Sequence, residues 1–154
     1  MKKTKTVIKI IVLILFIGFI GLQFIPKNLN QSNEMLPTDF TKTFEVPNDV
    51  QNILKTSCYD CHSNNTNYPW YNRIQPATWF LEGHIQDGKK ELNFSEFGDY
   101  SKRRQSTKLK SIISQIKSDE MPLPSYTYIH WDAKLSEQDK ELLEDWINKL
   151  RDGL

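Results

Sequence analysis

The chain has 154 residues, of which 38% are hydrophobic and 25% are charged. That length allows one globular domain together with a targeting segment. The formal net charge of +1 is unevenly distributed, because residues 1–25 carry four lysines and no acid. Subtracting those four from the 20 basic residues leaves 16 against 19 acids, a net of −3 for the remainder. Such a balance excludes a nucleic-acid-binding domain, which needs a clearly basic surface.

The N-terminus predicts one transmembrane helix. Residues 7–25 are apolar except for Lys9 and Gln23, and a span needs roughly 17–25 such residues. Because lysines precede the run and none lies just inside its far end, the N-terminus is expected in the cytoplasm. We therefore expect a single pass through the cytoplasmic (inner) membrane, with the C-terminal domain in the periplasm. A cleaved signal peptide is the alternative, although no cleavage site of small residues follows the apolar run.

The remaining chain divides into a tether and a domain. Residues 27–45 are rich in Asn, Ser and Thr and show no helical periodicity. They predict a polar tether, either a flexible one that keeps the domain near the membrane or plain disorder without a role. The expected organisation is an anchor or signal peptide over 1–26, the tether over 27–45 and a single domain over 46–154.

The domain is predicted to be all-α. One helix opens at Pro47, with Asp49 in its first turn, and runs into Cys58. Further helices are expected over 76–90, over 101–118, and after a cap at Ser136. No strand pattern is visible, and a body of about 100 residues has a limited core of its own.

The pentapeptide Cys58-Tyr59-Asp60-Cys61-His62 carries the chemistry. It has the C-x-x-C-H spacing of c-type haem attachment, in which both thiols form thioethers and the histidine becomes the proximal iron ligand. The chain has only these two cysteines. One alternative is a redox-active or structural disulfide, although the βαβ surroundings of thioredoxin-like motifs are missing. The other is part of a zinc site, which would need two more ligands.

A haem iron has a second axial position, and Met121 is the first candidate for it. It lies in a proline-rich loop after the 101–118 helix, and methionine opposite histidine suits electron transfer. His84 is the second candidate and His130 the third. An open site, suited to small ligands or peroxide chemistry, is the remaining alternative.

Two further features bear on a haem site. The loop over 63–75 contains Tyr68, Trp70 and Tyr71, which would pack on a porphyrin edge or cover the core. A carbonyl of this loop, with Gln75 as the candidate, is expected to accept a hydrogen bond from the free ring nitrogen of His62. The 101–118 helix begins with a basic run that would neutralise haem propionates, dock an acidic partner, or form a solvated face.

The sequence resembles the bacterial haem-binding domain family, small exported proteins with one C-x-x-C-H that are allied to cytochrome c. The likeness covers about residues 46–151. Besides the pentapeptide, it rests on Pro69-Trp70-Tyr71, Leu92-Asn93-Phe94-Ser95-Glu96-Phe97 and Met121-Pro122-Leu123-Pro124-Ser125-Tyr126. The resemblance implies a cytochrome c-like helical domain around one covalent haem c. It also implies thioethers at Cys58 and Cys61, a proximal His62, and a Met-Pro loop matching Met121.

These patterns predict a membrane-anchored, periplasmic monohaem c-type cytochrome that carries single electrons between partner proteins the sequence does not identify. Such a carrier turns over no substrate, so an enzymatic role is not expected. The alternatives are a haem enzyme of the peroxidase kind and a redox or gas sensor subunit. Both need an open or displaceable sixth position.

Overall fold

The computed structural model describes residues 2–32 and 34–154. Its eight α-helices are, in chain order, α1 (Lys2–Leu22), α2 (Phe40–Thr43), α3 (Asn48–Ser57), α4 (Tyr59–His62), α5 (Ala77–Glu91), α6 (Lys102–Lys117), α7 (Pro124–Thr127) and α8 (Glu137–Asp152). Short 3₁₀ helices cover Trp70–Arg73, Phe94–Asp99 and Trp131–Ala133. Within the described residues, the only β-pairing is an isolated bridge between Gln31 and Asn65. The all-α prediction is therefore confirmed.

Helix starts follow local signals in the sequence. Pro47 precedes α3, and Asp49 lies in its first turn, where a negative charge suits the helix dipole. The Ser101 side chain accepts a backbone hydrogen bond at the start of α6. At α8 the Ser136 hydroxyl accepts from the Asp139 N–H while the Asp139 carboxylate accepts from the Ser136 N–H. This reciprocal capping box satisfies two backbone donors that no helical carbonyl can reach.

The chain packs as two units. The first comprises the residues up to Leu29 together with Tyr68–His84, and the second comprises Asn30–Asn67 and Ile85–Leu154. Helix α5 thus begins in the first unit and ends in the second.

In the first unit, α1 contains a candidate membrane span over Lys3–Leu22. None of this segment is buried inside the protein, and it is long and apolar enough to cross a bilayer, as a signal sequence also is. The helix starts before the predicted apolar run of 7–25 and stops at Leu22, short of that run's end.

The second unit has a hydrophobic core between α3, α6 and α8. Its aromatic centre is Phe40, whose ring meets those of Phe94, Phe97 and Trp146 edge-on at centroid distances of 5.3, 4.9 and 5.8 Å. Edge-to-face pairs at this spacing are favoured by the ring quadrupoles. The aliphatic part consists of fully buried residues from the three helices, including Val50, Leu54, Leu109, Ile116, Leu143 and Ile147.

The prediction of a tether over residues 27–45 is wrong at residues 30–32, which pair with residues 64–66, and at its C-terminal end. Phe40 is only 1% exposed, and Asp39 caps α2 by accepting from the Thr41 N–H at 2.9 Å. Gly98 lies so close that a Cβ there would be 2.7 Å from the Thr43 hydroxyl. Phe40 and Phe44, among mostly polar residues, are too few to form a periodic pattern. The burial of Phe40 also depends on Phe94, Phe97 and Trp146, which lie more than 50 positions later in the chain. Residues 39–44 are therefore part of the domain.

Candidate functional site

A partly open cavity of about 240 Å³ lies in the second unit beside the C-x-x-C-H segment. Cys58, His62 and Met121 all line it, so the structure brings together three of the four principal site residues. Cys61 is not part of the lining. Much of the remaining wall is apolar and comes from Leu92, Phe94, Ile112, Ile116 and Pro122.

The two cysteines lie at the junction of α3 and α4. Cys58 is the C-cap residue of α3 and the N-cap residue of α4. Both cysteines are free thiols. Burial, and to a smaller extent the neighbouring Cys61, together raise the pKa of the Cys58 thiol to about 12. Burial, followed by the charge of Asp60, raises the pKa of Cys61 to about 11. Thiol exchange depends on the thiolate, so these protonated thiols are unlike those of redox-active C-x-x-C motifs.

The His62 ring is fixed by the end of α5. Its Nδ1 lies 2.9 Å from the Gly88 carbonyl oxygen and 3.0 Å from that of Leu92. Carbonyl oxygens only accept, so Nδ1 carries the proton and Nε2 keeps its lone pair. Burial lowers the pKa of His62, against the opposing effect of the two carbonyls, which favours this neutral form. The prediction that the Gln75 carbonyl accepts this hydrogen bond from His62 is therefore wrong.

Gly88 is required by the close approach of α5 to the cysteine segment. A Cβ at this position would lie 2.9 Å from the Cys61 carbonyl oxygen and 3.4 Å from its Cβ. Real side chains do not tolerate the shorter distance, and the obstacle is backbone. The absence of a side chain thus lets one helix supply a carbonyl to His62 while it packs over Cys61.

We expect Gly88→Ala to lower the free energy of unfolding by about 1–2 kcal/mol. Overpacking costs about 1–3 kcal/mol, and the greater helix propensity of alanine offsets up to about 1 kcal/mol of it. Urea titration followed by circular dichroism measures the change. Gly83→Ala is the matched control in the same helix, because a Cβ there meets nothing within 4 Å. It should stabilise the protein slightly, and equal stability of the two variants would contradict the packing argument.

Met121 is positioned by the way α6 ends. Asp119 has a φ of 57°, in the left-handed region, and it reverses the chain after the helix. The backbone N–H groups of Glu120 and Met121 then both donate to the Gln115 carbonyl, at 3.0 and 3.2 Å. The Asp119 carboxylate accepts from the Lys140 ammonium at 2.6 Å, which ties the reversal to α8. The methionine therefore follows a well-defined turn.

A second link joins the methionine loop to the C-x-x-C-H segment. The Tyr126 hydroxyl donates to the Asp60 Oδ2 at 2.7 Å, and the other carboxylate oxygen accepts from the Asn67 N–H at 3.0 Å. Hydrogen bonds to a charged acceptor are the stronger kind. The tyrosine follows the prolines of the loop, so this bond connects the methionine loop to the C-x-x-C-H segment. Sequence reasoning missed it, because nothing local relates positions 60 and 126.

The other two candidate axial ligands do not line the cavity. His84 belongs to the first unit and packs edge-on against Phe80 at 4.5 Å. His130 stacks on Tyr126 at 4.2 Å. Both imidazoles have aromatic partners of their own, while Met121 faces the cavity that His62 also lines.

Of the basic run at the start of α6, only Lys108 lines the cavity. Its ammonium lies 3.4 Å from the Glu91 carboxylate, and its side chain is 23% exposed. Arg104 instead covers the ring of Tyr100 at 3.9 Å. Trp70, predicted to pack on a porphyrin or on the core, is 75% exposed and is not part of the cavity lining.

These residues fit a haem. The apolar wall suits a porphyrin face, the free Nε2 of His62 and the thioether of Met121 are iron ligands, and the thiol of Cys58 lies on the same cavity. Lys108 adds a cation at the rim. Among the described residues, no group of three or more His, Cys, Asp and Glu side chains is arranged to hold a bare metal ion. Fold and site together define a small all-helical haem-binding protein.

The sequence model of the haem-binding domain matches residues 17–149. The chain therefore belongs to the haem-binding domain family. Comparisons with curated proteins and with solved structures found no significant match.

Proposed function

We propose that this protein is a membrane-anchored, periplasmic monohaem c-type cytochrome that carries one electron at a time. In this proposal Cys58 and Cys61 would form the thioethers, and His62 and Met121 would hold the iron. When bound, the haem supplies reversible one-electron chemistry. The observation that carries the proposal is the cavity shared by Cys58, His62 and Met121.

The protein's own residues support a carrier because they hold the two ligands in place. Two carbonyls hold the His62 ring, and the reversal at Asp119 holds the backbone of Met121. Electron transfer requires little rearrangement between oxidation states, so restrained ligands suit it. A thioether opposite an imidazole also raises the reduction potential relative to two imidazoles.

The two charged side chains that line the cavity pair with each other. The Glu91 carboxylate and the Lys108 ammonium lie 3.4 Å apart, and the Glu91 side chain is 82% exposed. A haem enzyme of the peroxidase kind needs an open sixth position and a general acid or base above it. With Met121 in that position, we propose that the protein transfers electrons and turns over no substrate.

The localisation proposal depends on α1. The lysines before the apolar run favour a cytoplasmic N-terminus, and the candidate span over Lys3–Leu22 has no buried residues. Haem c is attached outside the cytoplasmic membrane, so this orientation would place the domain where attachment occurs. We propose that the segment stays as an anchor in the inner membrane.

We expect Met121→Ala to change the visible spectrum of the purified protein. The oxidised wild type should be low-spin, with the weak far-red band of a sulfur-to-iron bond. The variant should lose that band, bind carbon monoxide readily when reduced, and have a lower reduction potential, because a Met ligand raises the potential. Absorption spectroscopy and a redox titration measure these changes.

Met35→Ala is the matched control, since Met35 is 62% exposed and does not line the cavity. It should leave the spectrum and the potential unchanged. If Met121→Ala also left them unchanged while His84→Ala or His130→Ala altered them, the ligand assignment would be wrong. A high-spin wild type that binds carbon monoxide at once would favour an enzyme or a sensor.

A further inference from the structure

In residues 70–80 of the first unit, polar side chains are buried and large apolar side chains are exposed. Asn72, Gln75 and Thr78 are 5%, 0% and 1% exposed. The apolar side chains between and around them are exposed instead: Trp70 75%, Ile74 43%, Trp79 47% and Phe80 64%. In water the opposite distribution is expected, and a group of exposed large apolar side chains marks an interaction surface.

Hydrogen bonds tie this segment to the chain just after α1. The Gln75 N–H donates to the Gln23 Oε1 at 2.9 Å, and the Gln23 Nε2 donates to the Gln75 carbonyl at 3.3 Å. The Lys27 ammonium donates to the Asn72 carbonyl at 3.0 Å. Backbone groups of Asn72 and Gln75 are therefore hydrogen-bonded to the first residues after the candidate span, and the exposed aromatics are their neighbours in the chain.

The length of the span sets the depth of these aromatics. The candidate span ends at Leu22, and the apolar run over residues 7–25, whose 19 residues at about 1.5 Å each cover about 28 Å of the hydrocarbon core, ends at Ile25. Gln23 then falls near the outer boundary between hydrocarbon and headgroups. Phe24, the next residue, is 83% exposed. The bonds to Gln23 and Lys27 attach the backbone of Asn72 and Gln75, which lie between Trp70 and Trp79 in the chain, to this end of the span.

We propose that residues 70–80 form an interfacial segment, which inserts Trp70, Trp79 and Phe80 into the headgroup region of the lipid bilayer. Tryptophan is enriched at this level because its ring is apolar while its N–H remains hydrated. Arg73, exposed in the same segment, is available to lipid phosphates. This inference rests on the proposed anchoring by α1 and adds a second membrane contact to it.

The test uses the full-length haem protein in vesicles of phosphatidylcholine and phosphatidylglycerol, with and without brominated acyl chains. Bromine quenches tryptophan fluorescence only at short range, and quenching by haem is the same in both vesicles, so their ratio reports contact with lipid. The protein has four tryptophans. Trp70→Phe/Trp79→Phe removes both proposed reporters and keeps the segment aromatic. Trp131→Phe is the matched control, because Trp131 is 83% exposed and belongs to the second unit.

We expect bromine quenching in the wild type and in Trp131→Phe, and loss of most of it in the double variant. Equal quenching in all three proteins would overturn the inference, as would a change in oligomeric mass on removing Trp70 and Trp79, which would indicate protein contact. Vesicle flotation and the haem spectrum separate this result from the proposed function. Protein that floats with a normal spectrum but shows no quenching refutes the interfacial segment alone, whereas protein that does not float refutes the anchor as well.

Discussion

A Cys58→Ala/Cys61→Ala variant should lose all haem that survives denaturation. The proposed thioethers are covalent, while the proposed bonds from His62 and Met121 to iron would break when the chain unfolds. The wild type should therefore keep its haem through denaturing electrophoresis and acid–acetone extraction, and the double variant should release it completely. Haem staining of the gel and the absorbance of the extract measure the effect.

The single variants sharpen this prediction. Cys58 lines the cavity and Cys61 does not, yet the proposal assigns a thioether to each. Each single variant should keep one covalent bond and show a shifted spectrum of the reduced form, since one vinyl group remains unmodified. His84→Ala is the control, because its side chain does not line the cavity, and its haem should resist extraction. Haem that acid–acetone removes from the wild type would mean that the family's haem binding is non-covalent in this chain.

We expect Phe40→Ala to lower the free energy of unfolding by about 3–5 kcal/mol, the usual cost of removing a buried phenylalanine. Phe40 is 1% exposed and is surrounded by the rings of Phe44, Phe94, Phe97 and Trp146. Its removal would leave a cavity bordered by stiff rings that cannot easily close it. Urea unfolding monitored by circular dichroism gives the change.

Tyr128→Ala serves as the comparison, because this aromatic residue is 90% exposed. Its effect should lie within about 0.5 kcal/mol, as for most surface substitutions. If Phe40→Ala were equally harmless, residues 39–44 would not belong to the core and the expectation of a tether through residue 45 would be restored.

The long helices were predictable because their signals are local. The Ser136 cap with Asp139, the Pro47 start and the apolar stripe of α6 each lie within a few residues of the helix they define. Helix α2 has four residues and one buried side chain, which is too short for a periodic pattern. Helix α7, also of four residues, begins at the second of two closely spaced prolines, which predicted only an extended loop.

The residues of the candidate site also divide into those that the local sequence predicts and those that depend on tertiary packing. Spacing alone indicated Cys58 and His62, and the Met-Pro loop indicated Met121. The carbonyl partners of His62 were not predictable, because Gly88 and Leu92 reach it through the packing of a separate helix. The prediction that the Gln75 carbonyl accepts from His62 failed for a related reason. That carbonyl accepts a hydrogen bond from the Gln23 side chain, which belongs to the first unit and lies far earlier in the chain.

The bond from Tyr126 to Asp60 has a consequence for how this chain tolerates change. Asp60 occupies one of the two variable positions of C-x-x-C-H, which thioether chemistry leaves unconstrained. Here a replacement at that position removes the acceptor of the Tyr126 hydrogen bond, so it also affects the methionine loop. We therefore expect the residues at positions 60 and 126 to covary among related sequences, with the carboxylate and the phenol gained or lost as a pair.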